Sequence, residues 1–153
     1  MNLRLSNQRS RDIKVGFTCG CFDILHYGYI LMFRECKKHC DVLVVGLSTI
    51  QRPDKDQKII NPLRARMEVL KSVREIDDVV VIEGPEDLEK VLKEMKPDVR
   101  FVGADYKEKP FDSKELCEEL NIKIHINSRD HDYSTSNLKK KLRIGWEQRP
   151  RCS

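Results

Sequence analysis

The chain has 153 residues, enough for one domain with a buried core. Hydrophobic residues make up 39% and charged residues 35%, which excludes a disordered chain, and the apolar runs are far shorter than the roughly 20 residues that cross a bilayer. Residues 1–12 carry three Arg and one Asp, and residues 139–153 carry six Lys or Arg and one Glu, so the rest of the chain is net acidic although the total is +4. This distribution predicts basic tails at 1–12 and 143–153 and argues against a nucleic-acid-binding face.

The six cysteines do not form a pattern typical of a disulfide framework or a zinc site. They are Cys19, Cys21, Cys36, Cys40, Cys117 and Cys152. The first twelve residues contain no apolar segment like that of a secretory signal. We therefore expect reduced, structural thiols in a cytoplasmic protein.

Short β-branched runs alternate with helical patterns along the whole chain. In chain order, the predicted elements are strand Ile13–Thr18, helix Tyr29–Lys38, strand Asp41–Ser48, helix Pro62–Arg74, strand Asp77–Glu83, helix Glu86–Lys96, strand Asp98–Asp105, helix Ser113–Leu120, strand Ile122–Asn127 and helix Ser134–Leu142. The first two strands lack an alternating polar face. The expected fold is α/β, a Rossmann-like parallel five-stranded sheet with helices on both faces.

In such a sheet, ligands bind beyond the carboxyl ends of the strands, in the loops 19–28, 48–62, 103–112 and 128–134. The first of these loops has Gly20 and Gly28, which allow close backbone approach, and leads into a helix whose N-terminus favours an anion. His26 and Tyr29 are three residues apart and point to one side of that helix start. Taken alone, the same loop is more typical of a turn with a buried histidine and an interfacial tyrosine.

Four segments in order make the interpretation more specific. GCFDILHYGY (Gly20–Tyr29) resembles the G-x-F-D-x-x-H-x-G-H signature of the cytidylyltransferase-like nucleotidyltransferases, which include glycerol-3-phosphate cytidylyltransferase and the nucleotidyl domain of ADP-heptose synthase. NPLRARMEVLKSVREIDDVV (Asn61–Val80), FVGADY (Phe101–Tyr106) and RDHDYSTSNL (Arg129–Leu138) resemble later segments of the same family. The resemblance covers residues 13–142, the expected nucleotidyltransferase domain.

The resemblance implies transfer of CMP or AMP from CTP or ATP to a small phosphorylated acceptor such as glycerol 3-phosphate, with release of pyrophosphate. It also implies Mg²⁺ bound to the nucleoside triphosphate rather than by protein ligands, and a homodimer. Arg129 favours CTP, whereas KIINPLRARMEVL looks more like the heptose-type enzymes.

The family pattern assigns site residues to three groups. The catalytic group is His26, Tyr29 and a second-loop lysine, either Lys55 or Lys58. The nucleotide-binding group is Gly20, Cys21, Phe22, His26, Tyr29, Asp105, Arg129, Ser134, Thr135 and Ser136. The substrate-binding group is Asp23, Arg66 and Arg74. Without the resemblance, the lysines and Arg129 would be solvated surface charges and Ser134 a simple helix cap.

Tyr29 stands where the family signature has its second histidine. A tyrosine hydroxyl is neutral near pH 7 and gives a weaker hydrogen bond than a charged donor. His131, in the segment expected to close over the phosphates, is a candidate to compensate. The alternative hypothesis is a catalytically impaired nucleotide-binding homologue with a regulatory or assembly role, and a nucleic-acid-binding accessory protein ranks below both.

Overall fold

The computed structural model describes residues 12–50 and 59–147. In chain order, the elements are β1 (Val15–Gly20), α1 (Tyr27–Lys37), β2 (Val42–Ser48), α2 (Leu63–Lys71), β3 (Asp78–Ile82), α3 (Pro85–Met95), β4 (Val99–Val102), a short 3₁₀ helix (Ala104–Tyr106), α4 (Lys114–Glu119), β5 (Lys123–Ile126) and α5 (Thr135–Glu147).

The strands form one parallel sheet in the order β3-β2-β1-β4-β5. β2 pairs with one side of β1, and β3 pairs with the far side of β2. β4 then pairs with the other side of β1. The order therefore reverses between β1 and β4, where an open α/β sheet leaves a crevice at the carboxyl ends of its strands. The expected parallel five-stranded sheet is confirmed, and the loop from β1 to α1 lies at this crevice.

Two hydrophobic clusters lie on opposite faces of the sheet. Phe33, Leu43, Leu70 and Phe101 are among the residues of the first cluster. Val15, Phe17, Val44, Leu92 and Ile122 are among those of the second. Adjacent β2 residues contribute to different clusters, which explains why this strand has no polar face. Each fully buried large apolar side chain contributes about 1.5–3 kcal/mol to the free energy of unfolding.

Most element boundaries differ from those predicted by one to three residues, and α5 ends five residues later. β1 begins two residues later, because Ile13 is exposed and the Lys14 backbone N–H donates to the Asp41 side chain just before the strand. α2 ends at Lys71, where Ser72 caps the last turn by donating its hydroxyl to Glu68 O at 2.8 Å.

α5 continues to Glu147, so residues 143–147 are helical and do not belong to the tail predicted from 143. Arg143, the basic residue of this stretch, is a good helix former and does not interrupt the helix.

The five cysteines in the described ranges are free thiols, in agreement with the sequence, and Cys152 lies outside these ranges. Burial raises the pKa of Cys36 to about 12 and that of Cys40 to about 11, so both thiols are protonated and unreactive near neutral pH. Among the helices of residues 12–50 and 59–147, none combines the length and the hydrophobicity needed to span a membrane.

Candidate active site

The loop between β1 and α1 turns sharply at Phe22. This residue has a φ of 43°, in the left-handed region that costs a non-glycine residue roughly 1–2 kcal/mol. Its buried ring packs edge-on against Tyr29 at 5.1 Å and against Phe33 at 5.6 Å between ring centroids. This aromatic packing holds the strained turn, which directs the chain from the end of β1 into α1.

His26 is the N-cap residue of α1, with an extended backbone and no capping hydrogen bond from its side chain. Its carbonyl accepts the first helical hydrogen bond, from Tyr29 N at 3.0 Å. Nδ1 of the imidazole is buried and has no hydrogen-bond partner in the described residues. Burial lowers the pKa of His26, and the neighbouring His131 and Arg129 lower it further.

Tyr29, on α1, contacts the start of α5. Its ring stacks on that of His26, with 4.3 Å between centroids, and its hydroxyl shares a hydrogen bond with the Thr135 hydroxyl. Thr135 in turn donates to Ile24 O at 3.3 Å. Burial raises the pKa of Tyr29, so the phenol is neutral near pH 7. The expectation that Tyr29 faces a reacting phosphorus stays a prediction.

Gly28 allows the segment 128–134 to lie directly on the start of α1. A Cβ at Gly28 would meet His131 Cε1 at 2.7 Å, Tyr133 O at 2.9 Å and His26 Cε1 at 3.0 Å. The close approach predicted for Gly28 is therefore made by this closing segment. The same packing brings His131 beside His26.

Hydrogen bonds hold the closing segment at both ends. At its start, the Glu35 carboxylate accepts from Ser128 N at 3.0 Å, from Ser128 Oγ at 2.8 Å and from His125 Nε2 at 3.0 Å. Burial alone would raise the pKa of Glu35, but these hydrogen bonds outweigh it and hold the pKa below its usual value. At its end, Ser134 Oγ accepts from Asn137 N at 3.0 Å and caps α5.

Asp23, predicted to bind substrate, connects three parts of the protein through hydrogen bonds to its carboxylate. Its carboxylate accepts hydrogen bonds from Ile60 N at 2.9 Å and Asn61 N at 2.8 Å, and from the Lys139 ammonium at 2.9 Å. Burial alone would raise the pKa of Asp23, but these donors outweigh it and lower the pKa. The carboxylate is thus satisfied within the protein and connects the β1–α1 loop with α2 and α5, and its predicted contact with substrate stays a prediction.

Lys139 is a functional residue that the sequence interpretation missed. It lies four residues after Thr135 on α5, and this i,i+4 spacing places both on the helix face that meets the β1–α1 loop. That spacing was the available signal, within a run of lysines that otherwise indicates a solvated helix face.

Arg66 is buried and hydrogen-bonds to backbone carbonyls. Its guanidinium donates to Cys21 O at 2.7 Å, Ser48 O at 2.9 Å and Asn61 O at 3.0 Å. It thereby connects the loops that follow β1 and β2, and its predicted contact with substrate stays a prediction. Arg74 is exposed in the turn before β3, at the opposite ends of the strands from the β1–α1 loop, and its predicted role in substrate binding stays a prediction as well.

Arg129 and Asp105 form an ion pair at the rim, with 3.0 Å between Nη1 and Oδ1. The pair joins the loops that follow β4 and β5. Both side chains are more than one third exposed, so the pair contributes little to stability.

The other predicted site residues either lie at the same ends of the strands as the β1–α1 loop or fall outside the described residues. Gly20 ends β1, and Cys21 donates its thiol to Ile50 O at 3.1 Å. Ser136 is exposed in the first turn of α5. Lys55 and Lys58 lie outside the described residues.

A family model described as cytidylyltransferase-like matches residues 17–141. The chain belongs to this family of nucleotidyltransferases, as its motifs predicted. It is 32% identical over 148 residues to the bifunctional protein HldE of Rhodopseudomonas palustris (strain BisB5), covering 95% of this chain and 30% of that protein. It is 35% identical over 133 residues to HldE of Caulobacter vibrioides, covering 85% of this chain and 27% of the relative. The chain thus spans about 30% of the length of these curated relatives.

Solved structures agree with the family. A lipopolysaccharide core biosynthesis protein from Thermoplasma volcanium GSS1 is 30% identical, with a TM-score of 0.64 over 78% of this chain and 99% of that one. A pantoate-beta-alanine ligase from Francisella tularensis, 17% identical with a TM-score of 0.62 over 99% of this chain and 78% of that one, shows the shared fold alone.

Proposed function

We propose that the protein transfers a nucleotidyl group from a nucleoside triphosphate to a phosphorylated sugar and releases pyrophosphate. One observation carries the proposal. In a chain of the cytidylyltransferase-like family, the closing segment brings His131 against His26 at the N-terminus of α1. This concentration of anion-binding groups lies at the sheet crevice, the place where a triphosphate is expected to bind.

The reaction needs positioning and charge stabilisation rather than a covalent enzyme intermediate. A phosphate oxygen of the acceptor attacks the α-phosphorus and forms a new P–O bond. The bond from the α-phosphorus to the oxygen that bridges it to the β-phosphorus breaks, and pyrophosphate leaves with that electron pair. His26, Arg129 and the α1 N-terminus would stabilise the negative charge on the phosphate oxygens.

Mg²⁺ enters this proposal as part of the nucleotide substrate. Within residues 12–50 and 59–147 there is no group of three or more His, Cys, Asp or Glu side chains placed to hold a metal ion. Asp23 and Asp105, the two carboxylates predicted for the site, are paired with Lys139 and Arg129. A triphosphate supplies its own oxygen ligands to Mg²⁺.

The resemblance to the nucleotidyl domain of ADP-heptose synthase supports a sugar phosphate as acceptor and ATP as donor. The α2 segment resembles the heptose-type enzymes, and the relatives include HldE proteins and a lipopolysaccharide core biosynthesis protein. Arg129, which favoured CTP, is paired with Asp105 in this structure. CTP with glycerol 3-phosphate, the pair first expected from the sequence, is the second combination to test.

Tyr29, which stands where the family signature has its second histidine, favours a second candidate, a nucleotide-binding homologue with impaired catalysis. The two candidates differ in turnover and not in nucleotide binding. They can therefore be separated by measuring both in the same preparation.

The test incubates the purified protein with Mg²⁺, ATP or CTP, and a panel of hexose, heptose and glycerol phosphates, and measures pyrophosphate release. We expect release that requires one nucleotide and one acceptor together. His26→Ala should abolish it, whereas His39→Ala, an exposed histidine after the other end of α1, should retain it. No release from any pair, with ATP or CTP still raising the melting temperature, would support the impaired homologue. The expected homodimer stays a prediction, to be checked by sedimentation.

A further inference from the structure

Two imidazoles meet at the start of α1 although they are 105 positions apart in sequence. Cε1 of His131 and Cε1 of His26 lie 2.7 Å and 3.0 Å from the same point, where a Cβ of Gly28 would be. His26 belongs to the loop after β1, and His131 to the segment after β5. The pair is therefore created by the position of the closing segment.

The burial of the ring atoms determines which nitrogen of each imidazole is free to bind a ligand. In both rings, Nδ1 is buried and has no hydrogen-bond partner among the described residues, whereas Nε2 is not one of the buried unpartnered atoms. A buried N–H without an acceptor costs more than a buried lone pair, so each neutral ring is expected to carry its proton on Nε2. Each ring then has an N–H donor at Nε2.

The surroundings of the two rings favour an anion. The α1 N-terminus carries the positive end of the helix dipole, and its first turn contains no acidic residue. Arg129 lies close enough to influence the charge of His26. Asp130 and Asp132 are on the closing segment, but both are exposed. Tyr29, at the other position of the motif, has its hydroxyl engaged by Thr135.

We propose that His26 and His131 together bind one phosphate group of the nucleotide, so that His131 supplies the imidazole that position 29 lacks. The inference rests on the proposed function and specifies one residue of that site. His131 is then a catalytic residue carried by the closing segment. Binding of the phosphate group would hold this segment against α1.

The probe is inorganic pyrophosphate added to full-length protein labelled with ¹⁵N at histidine. We expect saturating pyrophosphate to shift the ring Nε2 resonances of both His26 and His131, and to leave that of His39 unchanged. His131→Ala should weaken pyrophosphate binding by roughly 10-fold to 100-fold, the loss of one hydrogen bond to a charged group. His131→Gln, which keeps an N–H donor, should recover part of that affinity, and His39→Ala should bind like the wild type.

A wild-type His131 resonance that does not move at saturation, while that of His26 does, would overturn the inference even if the variants fail to fold. If the wild type releases pyrophosphate from a nucleotide and an acceptor but His131→Ala does so at an unchanged rate, the proposed function stands and His131 has no part in it. If neither ring responds and no pair of substrates reacts, both proposals fail.

Discussion

The Lys139 ammonium on α5 lies 2.9 Å from the largely buried carboxylate of Asp23 in the β1–α1 loop. The same carboxylate accepts the backbone N–H groups of Ile60 and Asn61, just before α2. One ion pair thus connects the loop that starts the site with the helix that follows the closing segment. Any change that breaks the pair should therefore affect stability and site geometry together.

Lys139→Met should lower the free energy of unfolding by about 3 kcal/mol, the low end for breaking a buried ion pair, because Asp23 keeps its backbone donors but loses its countercharge. Thermal melting should show a decrease of about 6–12 °C. The matched control is Lys93→Met, which breaks the exposed i,i+4 pair with Glu89 on α3. That variant should change stability by less than about 1 kcal/mol, and equal losses in the two variants would contradict the role of Lys139.

Arg66→Met should destabilise the protein by about 3 kcal/mol or more, because three buried or half-buried carbonyls lose a charged donor at once. Arg66→Lys should recover only part of the loss, since an ammonium cannot reproduce the spread of the guanidinium donors. Urea unfolding of both variants checks this. If Arg66 instead bound substrate, Arg66→Met would raise KM without changing the unfolding free energy.

The fold was predictable because its signals are local. β-branched runs in β1 and β2 without a polar face indicate strands buried on both sides, and the observed sheet buries Val44 and Val45 against opposite clusters. The location of the site followed from the same topology, since a parallel sheet with a reversal in strand order has its crevice at the carboxyl ends of the strands.

The roles of individual site residues were less predictable. A motif indicates that a position matters to the site, but not whether its side chain faces a ligand or the backbone. Asp23 and Arg66 both lie in the predicted segments and both turn toward backbone groups. The tertiary packing of the loops decides which group each side chain faces, because the N–H and C=O groups that Asp23 and Arg66 bind come from distant parts of the chain.

Gly28→Ala should displace the closing segment from α1. The added Cβ would lie 2.7 Å from His131 and 2.9 Å from the Tyr133 carbonyl, and such overpacking costs about 1–3 kcal/mol. We expect faster hydrogen exchange at residues 129–134 and weaker pyrophosphate binding. Gly84→Ala is the control, since among the described residues a Cβ there meets Ile50 at 3.7 Å, an ordinary contact distance, on an extended backbone. Unchanged exchange in Gly28→Ala would mean that the segment does not rest on α1.

The lowered pKa of His26 predicts a loss of stability on acidification. The unfolded chain takes up a proton on this histidine near pH 6.5, whereas the folded protein does so only at lower pH. Between the two pKa values the unfolded state binds more protons, so the free energy of unfolding falls as the pH decreases below about 6.5. Urea unfolding between pH 7.5 and 5.0 measures this effect.

His26→Gln removes this titrating group and should show a shallower loss over the same pH range. His39→Gln, at the exposed histidine beyond α1, should keep the wild-type slope. Saturating pyrophosphate should reduce the wild-type loss, because an anion beside the imidazoles favours their charged forms and brings the folded pKa back toward the unfolded value. A wild-type slope equal to that of His26→Gln would show that the proton uptake on unfolding comes from other groups, and that His26 is not held neutral by its burial beside His131 and Arg129.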